Sequence, residues 1–435
     1  TVAAGERAHF VLTHHPSHLP TPVPVDANWA LDETEAYWHR WMESCTYKGE
    51  YDDAVRRSLL TLKSLTYHPT GGIVAAATTS LPEEIGGVRN WDYRYCWLRD
   101  ATLTLAALLN TGFEHEARAW REWLLRAIAG RAEDLQIMYG VAGERRLVEF
   151  TLDHLPGYEG SAPVRVGNAA VNQLQLDVYG EVMDCLALAR AGPIGADPIS
   201  WRLQRALMDY LEGNWSQPDE GIWEVRGPRR QFTHSKVMTW VAVDRALQGV
   251  EQFGLDGPID RWRELRETIH DDVCTHGYDA ERNTFTQYYG SRDLDASLLV
   301  MASVGFLARD DPRFVGTVEA VHRELLVDGF VRRYPTHESE GKNVDGLPGK
   351  EGAFLACSFW MASALHQVGR TDEAREMFER LLALRNDVGL LAEEYDPIGK
   401  RQLGNVPQAF SHLPLIAAAH VLSSGKDVRT DVPPA

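Results

Sequence analysis

The chain has 435 residues, 44% of them apolar, which is enough to bury a large core and excludes a disordered polymer. A formal net charge of −18 argues against nucleic acid or an anionic membrane as a partner, since binding phosphates needs concentrated Lys and Arg. Five scattered cysteines form no Cys-x-x-Cys pair and no stretch approaches the roughly 20 apolar residues of a membrane span, so a cytoplasmic protein is expected.

Residues 1–50 differ from the rest. Residues 8–12 alternate like a strand, 14–26 form a proline-rich linker, and 28–42 carry several tryptophans at helical spacing. This segment reads as the tail of a preceding β domain, a linker and a helical strap packed over the rest of the chain. The adjacent pair His14 and His15 lies in the linker and is expected in solvent, not on a metal.

From residue 51 to 435 helical periodicity recurs with short breaks. Helices are expected over 52–67, 99–111, 115–129, 169–190, 196–212, 234–251, 258–274, 292–307, 312–326, 351–369, 371–385 and 407–423. Short links join them in pairs, as in antiparallel αα hairpins. The long links, 68–98, 130–168, 213–233, 275–291, 327–350 and 386–406, alternate with the short ones. This pattern predicts an all-α fold: an (α/α)6 barrel, or six-hairpin toroid, with its pocket at the long-loop end. A linear solenoid would need repeats of fixed period, which are absent.

The densest chemistry is Asn90-Trp-Asp-Tyr-Arg-Tyr-Cys-Trp-Leu-Arg-Asp100, where four aromatics interleave with two carboxylates and two arginines. A fold seldom needs that mixture, because buried ions and indoles are costly to satisfy together. A sugar does: aromatic faces cover its C–H patches, while Asp and Arg share its hydroxyls. The structural alternative is a buried salt-bridge cluster under an aromatic cap.

Two loop glutamates sit in apolar frames, Glu224 after Ile222-Trp223 and Glu393 after Leu390-Leu-Ala392. Acetal hydrolysis needs one carboxylic acid kept protonated by desolvation and a second carboxylate as base or nucleophile. Glu220, Glu394 and Asp396 compete for these roles on spacing alone. His234 and His412 read as caps or supports, and Cys96 and Cys357 lack the partners of a catalytic thiol. No phosphate loop is present.

With Gly221-Ile-Trp-Glu224, Leu391-Ala-Glu-Glu-Tyr-Asp396 and Gly404-Asn-Val-Pro-Gln-Ala-Phe-Ser-His412 added to the 90–100 segment, the chain resembles the catalytic domain of glycoside hydrolase family 15 from about residue 50 to 425. That family includes glucoamylases, glucodextranases and a bacterial branch of trehalases. The resemblance implies an (α/α)6 barrel and an inverting mechanism, with Glu224 as general acid and Glu393 as the base that activates water. It implies that Arg99 and Asp100 hold the hydroxyls of the non-reducing-end glucose, that Tyr93 and Trp97 line that subsite, and that Trp223 precedes the acid. Arg333 matches a residue near the leaving-group side. No metal and no cofactor are implied. Bacterial members similar to this chain usually carry a β-sandwich before the barrel, of which only an apparent last strand and linker are expected here. Where the fungal pattern has a second Glu after the acid and Trp at the leaving-group subsites, this chain has Val225, Ala162 and Ala353.

The expected activity is therefore inverting, exo-acting hydrolysis of a short α-glucoside or α-glucan with release of glucose, on a small carbohydrate partner. Trehalose is the alternative substrate within the same chemistry. A phosphorylase or lyase on the same barrel, and a non-catalytic carbohydrate-binding toroid, are the readings from other classes. The oligomeric state is not encoded in these signals.

Overall fold

The computed structural model describes residues 1–335, 344–346, 351–425 and 427, with side chains for all of them except Ala101 and Thr102. Part of the expected 327–350 link, including Pro348, lies outside the described residues. The chain divides into two compact units, Thr1–Thr46 and Tyr47–Ala435. In the first unit, helix α1 (Ala27–Met42) starts at Asp26, whose carboxylate accepts the Asn28 and Trp29 N–H groups. Residues 8–12 form no strand among the described residues, contrary to the alternation of their sequence. A strand has no stability without a hydrogen-bonded neighbour.

The second unit contains α2 (Asp52–Ser64), α3 (Leu98–Asn110), α4 (Glu114–Ala127), α5 (Asp177–Ala191), α6 (Pro198–Asn214), α7 (Thr233–Phe253), α8 (Ile259–His276), α9 (Pro312–Glu324), α10 (Leu355–Gln367), α11 (Thr371–Leu382) and α12 (Ala409–Ser424). Helices α5 and α7 are buried along almost their whole length, as helices surrounded by others are. In α11 only Ala374, Met377, Phe378 and Leu381 are buried, one stripe at helical spacing, so it belongs to an outer layer. Packing runs from α3 to α5, α7, the segment Ala296–Val300, α10, α12 and back to α3, which closes an inner ring. This is the (α/α)6 barrel expected from the sequence.

Two expected helices are altered. Over 292–307 only a 3₁₀ turn, Ala296–Val300, forms, followed by turns ending at Gly305 with φ +81°. Asp295 and Ser297 bond to local backbone or to each other, and β-branched Val300 and Val304 crowd a helix, so i+3 bonds win. The expected 169–190 helix is split into a 3₁₀ turn, Ala169–Asn172, and α5. Between them, the N–H groups of Leu174 and Leu176 are taken by the carboxylates of Glu220 (2.8 Å) and Asp219 (2.9 Å) from another loop.

The long loops carry short antiparallel strand pairs. Thr79–Pro82 pairs with Asn90–Asp92, and Cys96–Trp97 with Met138–Tyr139. Ala353–Phe354 pairs with Glu394–Asp396, which pairs with Arg401–Leu403. These pairs fix the loops at one mouth of the barrel. Among the described residues no helix is long and apolar enough to cross a membrane.

Candidate active site

A cleft of about 620 Å³ lies among these loops, lined by Tyr93, Arg99, Trp223, Glu224, Arg333 and Glu393 together with residues not singled out from the sequence. Six of the eight expected site residues thus meet on one surface. The other two support them: Trp97 Nε1 donates to Glu224 Oε1 at 2.6 Å, and buried Asp100 accepts Arg99 Nε at 3.2 Å. Within the 90–100 segment the two arginines have different jobs. Arg94 forks onto Asp92 with two 2.9 Å bonds, and Asp92 also accepts the Gly167 N–H at 3.1 Å, which ties down the neighbouring loop. Arg99, in the first turn of α3, donates to the Ile222 carbonyl at 2.9 Å and lies 4.9 Å over the Phe410 ring.

Glu224 sits on a tight turn with φ +56°, a left-handed conformation that costs a non-glycine residue roughly 1–3 kcal/mol. The turn is held by Gln173 Nε2, which donates to the carbonyls of Glu224 and Val225 at 3.1 and 3.2 Å. Burial pushes the Glu224 carboxyl above the usual range, against the pull of Arg99 (Nη2 to Oε1 3.9 Å) and the Trp97 indole. Before it, Trp223 donates to both oxygens of Asp295 at 2.9 and 3.0 Å, which fixes the indole.

Glu393 comes from the loop before α12. Its Oε1 accepts the Tyr93 hydroxyl at 2.8 Å. The chain around it is pinned on every side: Leu391 N–H to His412 Nε2 at 3.2 Å, Ser411 Oγ to the Ala392 carbonyl at 2.7 Å, and the Ala392 N–H to Gln402 Oε1. Burial lowers the His412 pKa to about 3, so the imidazole is neutral and its Nε2 is an acceptor. Gly404 has φ +76°, and a Cβ there would stand 2.9 Å from the Glu393 Cβ. Burial, and then the charge of Glu83, raise the Glu393 pKa well above the usual carboxylate value; Tyr93 and Arg333 oppose this.

The competing carboxylates are occupied elsewhere, and none lines the cleft among the described residues. Glu220 holds Leu174 N–H and Arg229 Nε, and Asp396 Oδ1 caps the turn at Ile398 N–H. Glu394 accepts Gly352 N–H at 2.7 Å and belongs to a buried cluster. There Glu83, Glu351 and Glu394 bring their oxygens within 4.8 Å of one another. Arg333 Nη2 reaches all three, forking onto Glu351 and lying 3.9 Å from Glu83 and 4.0 Å from Glu394. A guanidinium therefore neutralises the centre that a cation would otherwise take. Arg89 reinforces it through Asp345 at 2.7 Å and Glu351 at 3.4 Å.

Sequence reasoning missed Glu83, Arg89, Arg226, Asp295 and Phe354, while Trp91 stood within the 90–100 segment without a role of its own. Glu83 beside Glu84 looks like a solvated pair, and Asp295 fell inside an expected helix; only the fold brings them to the site. Phe410 was visible within the 404–412 motif, without a role.

The model for glycosyl hydrolases family 15 matches residues 49–420. The chain belongs to glycosyl hydrolases family 15. Within the family it is 42% identical over 420 residues to a protein named trehalase from Mycobacterium tuberculosis, covering 95% of this chain and 61% of the relative. It is 41% identical over 404 residues to a trehalase from Thermoplasma acidophilum, covering 92% and 68%. The chain thus spans about three-fifths of the mycobacterial relative's length. A bacterial glucoamylase structure in complex with acarbose superposes with a TM-score of 0.70 at 13% identity, over 93% of this chain and 60% of that one, a likeness of fold.

Proposed function

We propose that this family 15 chain hydrolyses a short α-glucoside, α,α-trehalose before longer α-glucans, by inversion. The observation that carries this reading is the pair of glutamates, partly buried Glu224 and buried Glu393, presented to one cleft from two loops with different partners. The relatives named trehalase support the disaccharide over the broader exo-glucosidase reading.

In this mechanism Glu224 is the general acid. Burial favours its protonated form, and its proton passes to the glycosidic oxygen as that bond breaks. Glu393 is the base: in its ionised form it takes a proton from a water that attacks the anomeric carbon from the opposite face. Tyr93, bonded to Glu393 Oε1, orients the carboxylate. Arg99 donates to hydroxyls of the glucose being transferred and adds positive charge beside Glu224, while the Trp97 indole fixes the acid's rotamer. Asp100 and Trp223 complete that subsite, Asp100 through Arg99. Arg333, in contact with the Trp223 and Phe354 rings, stands toward the leaving group. The same proposal keeps the cytoplasmic location expected from cysteine usage and a small carbohydrate as partner.

Inversion of trehalose makes one β-glucose from the attacked ring and one α-glucose from the ring that leaves. Proton NMR of fresh product is expected to show the two anomers in equal amounts, independent of phosphate. Two α-glucose molecules would indicate retention, and a sugar phosphate would indicate phosphorolysis; either result discards the mechanism. Glu224→Gln and Glu393→Gln are each expected to lower kcat by about 10²–10⁴-fold with folding intact.

A further inference from the structure

One arginine on the cleft wall has no part in the chemistry above. Arg226 stands two residues after Glu224; Val225 between them is buried, so the acid and Arg226 both return to the cleft. Its guanidinium lies 4.4 Å from the Trp91 ring centroid, and Nη2 is 3.3 Å from Glu149 Oε2. Glu149 is itself held by the Ala169 N–H at 3.1 Å, and the Arg226 N–H bonds the Asp345 carbonyl at 2.8 Å. The head group is thus fixed in orientation, yet 32% of the side chain is exposed.

Trp91 also carries Arg165, whose guanidinium is 4.5 Å from the ring centroid. The indole beside the acid is covered by cations and does not offer the bare face on which a sugar ring stacks. The cleft lining also holds Arg89 and Asn168, so N–H donors stand along it with Arg226. A planar fork of donors matches two vicinal hydroxyls of a pyranose, which a flexible ammonium does not.

We infer that Arg226 is the specificity-determining residue for the leaving sugar, its guanidinium donating to vicinal hydroxyls of the second glucose of a disaccharide. The inference rests on Glu224 being the acid, because that role places the departing ring beside the acid's own loop. It selects a compact polyhydroxylated leaving group over an extended glucan that needs stacking platforms.

The test compares kcat/KM on trehalose with kcat/KM on α-D-glucopyranosyl fluoride, whose leaving group has no ring to hold. For Arg226→Ala the trehalose-to-fluoride ratio is expected to fall about 10–100-fold, the loss of charge-assisted hydrogen bonds. Arg226→Lys keeps the charge without the fork and is expected to fall between. Equal losses on both substrates, or no loss on either, leave the ratio unchanged and overturn the inference; a ratio that falls through kcat alone, with KM for trehalose unchanged, would mean that Arg226 acts through the Glu224 acid and overturns it as well. The catalytic reading fails separately, if Glu393→Gln retains fluoride hydrolysis.

Discussion

Glu393 must be ionised to act as a base, yet burial and the nearby Glu83 carboxylate both favour its protonated form. The acidic limb of kcat/KM against pH reports this group in the free enzyme, so it belongs above the usual carboxylate range. Glu83, itself raised to about 7 by burial, keeps the site short of positive charge despite Arg89 and Arg333. Replacing it with an uncharged isostere removes a negative neighbour and lowers the Glu393 pKa. Glu83→Gln is therefore expected to move the acidic limb to lower pH, whatever happens to the plateau; a limb that stays put or rises refutes the coupling. Glycine 404 gives a second test at this scale. Alanine there meets the Glu393 Cβ at 2.9 Å, whereas Gly290, with a similar φ of +78°, has nothing within 4 Å of its would-be Cβ. Both alanine variants are expected to lose about 1 kcal/mol or more of stability to backbone strain, measured by denaturant titration, but only Gly404→Ala should also lower kcat. Equal kcat in the two variants would show that the contact does not position Glu393. The sequence exposed Glu224 and Glu393 because each follows a local apolar run. Glu83 stayed hidden because Arg333, Glu351 and Glu394, which complete its charged environment, lie more than 200 positions away.

The start of α5 shows why elements were legible in kind and not always in extent. Periodicity over 169–190 is a property of the side chains, and it continues through residues 173–176. The break comes from Glu220 and Asp219, which capture the backbone N–H groups of Leu174 and Leu176, and no local signal records a partner that far along the chain. The same junction buries Asp177 in the first turn of α5. Neither of its carboxylate oxygens has a hydrogen-bond partner among the described residues. Burial, then the charge of Asp219, raise its pKa to about 8, with Arg99 opposing. Since this folded value lies above the ordinary unfolded one near 4, the folded protein holds a proton that the unfolded chain has released between about pH 4 and pH 8. Stability contributed by this group is whole below pH 4 and declines through that window. Asp177→Asn should flatten the decline, so that the variant's unfolding free energy gains on the parent's by an amount that grows from pH 4 to pH 8. Parallel curves for the two proteins would show that Asp177 is ionised in the fold. The short strands of the loops were not legible at all, because pairs of two or three residues carry no periodicity; their pairing is decided by which loops the barrel brings together.

At the scale of the whole barrel, the expected six hairpins close, but one inner-ring place is filled by the 3₁₀ turn Ala296–Val300 and the irregular residues after it. Such a segment leaves carbonyls outside the i−4 ladder, and the ring must satisfy them from neighbouring helices. Arg245 on α7 does this. It donates to the Val304 carbonyl at 2.9 Å, to Asp184 of α5 at 2.7 Å and to Asp244 at 2.7 Å, so one guanidinium joins three consecutive members of the inner ring. Arg245 and Asp184 are nearly inaccessible, and removal of the cation from such a cluster leaves buried negative charge and an unsatisfied carbonyl. Arg245→Met keeps most of the side-chain volume and is expected to cost about 3–5 kcal/mol, read as a lowered Tm at neutral pH. Electrostatics and packing separate in the double variant Arg245→Met/Asp184→Asn, which removes one stranded charge and should recover part of the loss. If the double variant melts no higher than the single one, the role of Arg245 is to hold the Val304 carbonyl and the irregular segment, and the carboxylates are incidental. Because that segment also carries Asp295, the acceptor for Trp223, the single variant should lower kcat on trehalose even well below its Tm. The barrel would then transmit a defect in ring closure to the turn that presents Glu224.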